Sequence, residues 1–204
     1  MKSVHLLAVA VGSGVAQKVL RWWQGYSVDV DAGLGLLAPL VYLPVAAVPT
    51  LIAGVAIVRV LVRRPPVSEQ LILLSISLLV VLLQVATPSP TMAGFEMRMN
   101  RFGEPEFQAL ASSIRSMRGS ERFAGDRFGQ KLAKALRNDH AILRVSSWQP
   151  KIFVSSLSVR VLWGSGLTGA LAVEIQDAAM EPSVSVDVLN SEKLYPRVQL
   201  LQIF

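Results

Sequence analysis

Cysteine is absent from the 204 residues, which excludes disulfides, thiolate nucleophiles and cysteine-ligated zinc or iron–sulfur centres. Its absence leaves the compartment open, since exported domains also do without it. Histidine is almost as scarce. His5 and His140 are the two present, and with no clustered carboxylates beside them neither a protein-built metal site nor a cofactor is expected. Charge is the third shortage: Asp, Glu, Lys and Arg make up 17% of the chain, against about a quarter in an ordinary soluble domain. The deficit is uneven. Before residue 90 the charges gather at Lys18 and Arg21, at Asp29 and Asp31, and between Arg59 and Glu69; nearly all the others follow Thr91. Basic residues prevail, with a formal net charge of +6.

What fills the first part is apolar sequence. Residues 32–58 and 67–87 are each about as long as the 20 residues that carry a helix across a hydrocarbon core of roughly 30 Å. The expectation is therefore a membrane α-helical N-terminal half over residues 1–89, with possible spans at 3–23, 32–58 and 67–87. Pro39, Pro44 and Pro49 inside the first long run read as a kinked anchor or as a transporter-like broken helix. Residues 4–16 are apolar but short, and three readings stand: a span ending at Trp22, Trp23 and Tyr26, whose rings suit a headgroup interface; a signal peptide; or a helix lying on the surface. Arg59, Arg63 and Arg64 in the loop between the long runs read as topology anchors on the cytoplasmic side. That orientation places everything past Pro88 outside, as the C-terminal part of a multi-pass protein of the bacterial inner membrane.

Residues 90–204 follow a stiff Thr87-Pro88-Ser89-Pro90 boundary and suffice for one modest core. Residues 94–99 alternate apolar and polar, as a half-buried strand does. Glu104-Pro105-Glu106 opens a helix with Phe107, Leu110, Ala111, Ile114 and Met117 on one face, and Gly119 stops it. A second helix is expected over 126–138, with Phe128, Leu132, Ala135 and Leu136 inward. Strands are expected at 142–145, 151–154, 157–163, 170–176, 184–188 and 198–204. A strand, two helices and then consecutive strands indicate an α+β domain with a mostly antiparallel sheet.

Gly164-Ser165-Gly166-Leu167-Thr168-Gly169 matches the dinucleotide-binding GxGxxG letter for letter, with Asp187 or Glu192 placed to hold a ribose. Against this, Arg160 sits in the middle of a strand that a parallel sheet would bury on both faces, and no room remains for further βαβ units. A glycine-rich hairpin is the reading preferred, with Gly164, Gly166 and Gly169 supplying positive φ. The run from Val159 through Val161, Trp163 and the three glycines to Leu171 and Val173 also resembles one in small bacterial membrane-anchored proteins of unknown function. Leu167-Thr168 departs from that group's aromatic. The resemblance implies the hairpin and no activity.

Asp139-His140 invites a triad with a serine, yet neighbours in sequence rarely supply base–orienter geometry, and no G-x-S-x-G elbow occurs. Arg115, Arg118, Arg122, Arg127, Lys131 and Lys134 form a basic stretch that reads either as a solvated helix face or as a surface for anionic lipid headgroups or an acidic envelope protein. The expected partners are thus the lipid bilayer and such a protein, with no nucleic acid. The function expected is a membrane anchor presenting a non-enzymatic binding or structural domain. The alternatives are a nucleotide-binding or hydrolytic enzyme using the glycine loop or His140, and a small transport component.

Overall fold

The computed structural model describes residues 3–28, 38–85, 89–123, 129–166, 169–177 and 188–203. Helices come first: α1 (Ser3–Ser27), α2 (Ala38–Arg63), α3 (Val67–Val85), α4 (Pro90–Met99), α5 (Glu104–Arg118) and the short α6 (Gln130–Leu136). A 3-10 turn at Ala141–Arg144 leads into β1 (Lys151–Val154), β2 (Ser158–Gly166), β3 (Gly169–Gln176), β4 (Val188–Tyr195) and β5 (Val198–Ile203). The chain divides into two compact units, Met1–Arg21 with Leu34–Pro90, and Trp22–Gly33 with Thr91–Phe204.

In the first unit α2 and α3 form a hairpin. Pro65 and Pro66 cannot continue α2, Arg64 leaves it in the left-handed region at φ 42°, and Gln70 Nε2 donates to the Pro65 carbonyl to fix the turn. Ala53, Ile76 and Val80 pack with Ala10 of α1, Ala56 packs with Leu73, and the Ser77 hydroxyl reaches the Ala53 carbonyl at 3.3 Å. The outward sides of the hairpin are apolar: Leu51, Leu61, Val62, Leu71 and Leu78 are each at least 60% exposed. An apolar surface of this extent marks a contact face, for protein or for lipid.

A hydrocarbon core needs roughly 30 Å. Among the described residues no helix is long and apolar enough to cross a membrane. This overturns the expected membrane-spanning half and its spans at 3–23, 32–58 and 67–87. It also overturns the multi-pass inner-membrane placement and the extracytoplasmic position of residues 90–204, both of which rested on those spans. Residues 32–37 and 86–87 of the apolar runs lie outside the described residues.

The second unit is the α+β part, and its antiparallel sheet is found as expected, in the order β1-β2-β3-β5-β4. One face of the sheet carries Val159, Val161, Trp163, Leu171, Val173, Ile175, Val198 and Leu200, which share a core with Phe95 of α4, with Phe107, Leu110 and Ile114 of α5, and with Leu132 and Leu136 of α6. Helix α5 starts and stops where its sequence signals lie, with Pro105 in the first turn and Gly119 as C-cap.

Three expected elements are corrected. Residues 94–99 are not a strand: they end α4, where Met92, Phe95 and Met99 recur at helical spacing on the buried side and Met97 is exposed. The alternation of Phe95, Met97 and Met99 was compatible with either period. Residues 142–145 are not a strand either: Ala141–Arg144 is the 3-10 turn, closed by Val145 N–H donating to the Ile142 carbonyl, and it buries Ile142 and Leu143. Helix α6 begins at Gln130 after Gly129 in the left-handed region, and it buries Ala133 instead of Ala135. Asp126, Arg127 and Phe128 lie outside the described residues, as does most of the expected strand 184–188; the observed β4 begins at Val188.

Candidate functional site on the outer sheet face

Antiparallel register sets which side chains line up on the sheet face turned away from the helices. Phe153 of β1 pairs with Arg160 of β2, Arg160 with Glu174 of β3, Glu174 with Gln199 of β5, and Gln199 with Lys193 of β4. Directly opposed residues share a face. One straight row, Phe153–Arg160–Glu174–Gln199–Lys193, therefore crosses all five strands, about 19 Å at the usual strand spacing. The neighbouring row, Lys151–Leu162–Ala172–Leu201–Ser191, is apolar at its centre, and Ser158 opposes Gln176 on the other side. None of these residues belongs to the core shared with the helices.

Glu174 is the centre of the row and is only 4% exposed. Its Oε1 accepts from Arg160 NH2 and from the Ser158 hydroxyl, both at 3.1 Å. Its Oε2 is buried and, among the described residues, has no donor. A carboxylate offers about four acceptor positions, and leaving a buried one unmet costs about 1–3 kcal/mol. Gln176 and Gln199 beside it are also buried, at 7% and 9%, whereas Lys193 at the end of the row is exposed. Removing Glu174 leaves Arg160 without its counter-ion, and removing Arg160 leaves the buried carboxylate with the Ser158 hydroxyl and no counter-ion. The double change Arg160→Ala with Glu174→Gln is expected to destabilise less than the two single changes added together, with a coupling of roughly 1–3 kcal/mol in urea unfolding.

The glycine loop lies at the end of this sheet. Gly166 and Gly169 are cross-strand partners, and Gly164 and Gly169 take φ of 83° and 93°. The expected hairpin is what β2 and β3 form, and no helix N-terminus follows the loop to receive a pyrophosphate. Leu167 and Thr168 are outside the described residues, as is Asp187.

Glu192 opposes Leu200, on the helix side, where it meets Glu96 of α4 instead of any glycine. Partial burial, then the charge of Glu96 and a hydrogen bond shared with it, push the Glu192 carboxyl above its ordinary 4.5. A raised carboxyl holds its proton longer when folded, so stability falls as pH rises from 4.5 through the folded value. Glu192→Gln is expected to raise the melting temperature at pH 7.5 and to leave it unchanged at pH 4, read by thermal scans at both.

His140 closes the turn after α6: its N–H donates to the Leu136 carbonyl at 3.1 Å, and its own carbonyl accepts from Leu143. No hydroxyl or carboxylate pairs with its ring among the described residues, Asp139 included.

The basic stretch is partly used up within the fold. Arg115 pairs with Asp177, Arg118 donates to the Val154 carbonyl at 3.0 Å, and Arg122 lies over the Phe123 ring. Arg137, further along the same stretch, donates to the Ser146 and Ser147 carbonyls. Lys131 and Lys134 are exposed on α6, and Arg127 is outside the described residues. In the first unit Arg59 pairs with Glu69 at 2.6 Å across the hairpin turn, and Arg63 and Arg64 are exposed. Without a crossing helix among the described residues, their reading as topology anchors loses its premise.

The polar row itself was not assembled from the sequence. Its one local signal was Arg160, a charge in mid-strand. No family model matches the chain, and neither a curated protein nor a solved structure matches it.

Proposed function

We propose that the α+β unit is a binding module, and that its ligand is a polyhydroxylated chain, a glycan, laid along the row from Phe153 to Lys193. The observation that carries this reading is the buried, donor-less Oε2 of Glu174 in the middle of a sheet face that no described helix shares as core. The ligand class follows by elimination. A phosphate or carboxylate brings no proton for Oε2. A metal cation or an ammonium group could meet Oε2, but would sit between Arg160 and Lys193, which repel it. A hydroxyl both donates and accepts, so one neutral chain can serve Glu174, Gln199, Arg160 and Lys193 in turn. Phe153 is 36% exposed at one end of the row and Leu162 beside it is half-buried, which suits the C–H face of a sugar ring there.

Titration calorimetry of the full chain with cellohexaose, chitohexaose and maltohexaose tests the proposal. At least one is expected to bind, with affinity falling about tenfold to a hundredfold in Glu174→Ala, the worth of one charge-assisted hydrogen bond. Binding of none of the three, or binding indifferent to Glu174→Ala, would overturn it.

A further inference from the structure

Two guanidinium groups converge on one tyrosine in the second unit. Tyr26 stands in the last turn of α1, stacked on Trp22 at 5.1 Å between ring centres and tilted against Trp23 at 6.0 Å. Arg98 of α4 lies 5.5 Å from the centre of the Tyr26 ring, Arg101 lies 5.1 Å from it, and Arg101 also donates to the Tyr26 hydroxyl. Neither arginine has a carboxylate partner among the described residues. The Nε of Arg98 is buried there with no acceptor at all.

The C-terminal ends of α1 and α4 each contribute about half a negative charge, less than the two guanidinium charges they face. The Tyr26 ring adds a cation–π attraction but no charge. An anion with several oxygens would accept from the forks of both arginines together, as phosphates do with paired arginines. Trp23 and Met97, 54% and 53% exposed, supply apolar surface at the rim.

We propose that Arg98, Arg101 and Tyr26 form a phosphate-binding site, separate from the sheet face, that takes a phosphomonoester or phosphodiester group. The group can arrive free or on a lipid, and the test separates the two sources. The full chain is titrated with inorganic phosphate, and in parallel with vesicles of phosphatidylcholine carrying or lacking phosphatidylglycerol, while tryptophan fluorescence reports on Trp22 and Trp23. Saturable response to free phosphate assigns a soluble phosphate ligand. Response only to phosphatidylglycerol vesicles assigns a lipid headgroup. In either case Arg98→Lys with Arg101→Lys, which keeps the charge and loses the planar forks, is expected to weaken binding at least tenfold, whereas Arg144→Ala is expected to leave it unchanged. No response to either probe, a response independent of phosphatidylglycerol, or equal binding by the lysine variant would overturn the site. Far-ultraviolet circular dichroism of the lysine variant, expected to match that of the parent chain, separates a folding defect from loss of the forks.

Discussion

Replacing Trp163 with alanine is expected to cost the α+β unit about 3–5 kcal/mol, the largest loss of any single truncation in this chain. Trp163 is fully buried at the centre of β2, meets the edge of Phe95 at 6.2 Å, and faces the helices that cover this side of the sheet. A cavity of that size on a central strand cannot close without moving β3 against α4. The conservative change separates packing from hydrogen bonding. Trp163 Nε1 is buried with no acceptor among the described residues, so Trp163→Phe removes an unmet donor together with some volume. Those terms oppose each other, and Trp163→Phe is expected to cost less than about 1.5 kcal/mol. Urea unfolding followed by far-ultraviolet circular dichroism measures both. Equal losses in the two variants would mean that Nε1 has a partner after all.

The second large effect is expected at the crossing of α1 and α4. Gly25 and Gly94 face one another's helices. A Cβ on Gly94 would fall 2.0 Å from the Trp22 carbonyl oxygen and 2.8 Å from the Tyr26 nitrogen, and one on Gly25 would fall 1.8 Å from the Thr91 carbonyl oxygen. These are backbone atoms, so no rotamer change relieves the clash. Gly94→Ala is expected to cost about 3 kcal/mol, at the upper end of overpacking, although alanine favours an isolated helix. Gly12→Ala is the control on the same helix α1: a Cβ there meets nothing within 4 Å, so a gain of up to about 1 kcal/mol is expected. Hydrogen exchange localises the effect. In Gly94→Ala the amides of residues 22–27 and 91–99 should lose protection before those of β2 and β3.

The residues that could be read correctly in advance were those whose signals are local. Helix α5 announces both ends, with Glu104-Pro105-Glu106 and Gly119, and its apolar positions recur at one period. Strands β2 and β3 alternate cleanly, and the glycines between them suit a turn better than a phosphate loop. Strand β4 did not show itself, because Asn190, Ser191, Glu192 and Lys193 read as a loop; it is a strand through its pairing with β5. Helix α4 was mistaken because six residues of alternating hydrophobicity fit two periods, and the meaning of Gly94 depends on α1, some 70 residues away. The polar row needed more still: five strands, their order and four registers, with β5 inserted between β3 and β4. The expected membrane half failed for a related reason. The division of residues 32–87 into two helices about Pro65-Pro66 was legible, but that they would cross a membrane was inferred from apolar length alone, and among the described residues no helix is long and apolar enough to do so.

The most direct measurement on the sheet face follows the side-chain amide signals of glutamine by nuclear magnetic resonance during titration with whichever hexasaccharide binds. Gln199 lies in the polar row and Gln176 beside it, whereas Gln130 lies on α6. Saturable shifts of the Gln199 and Gln176 amides with an unmoved Gln130 are the predicted result. Binding that shifts Gln130 and leaves Gln176 and Gln199 in place would contradict the assignment of that face to ligand.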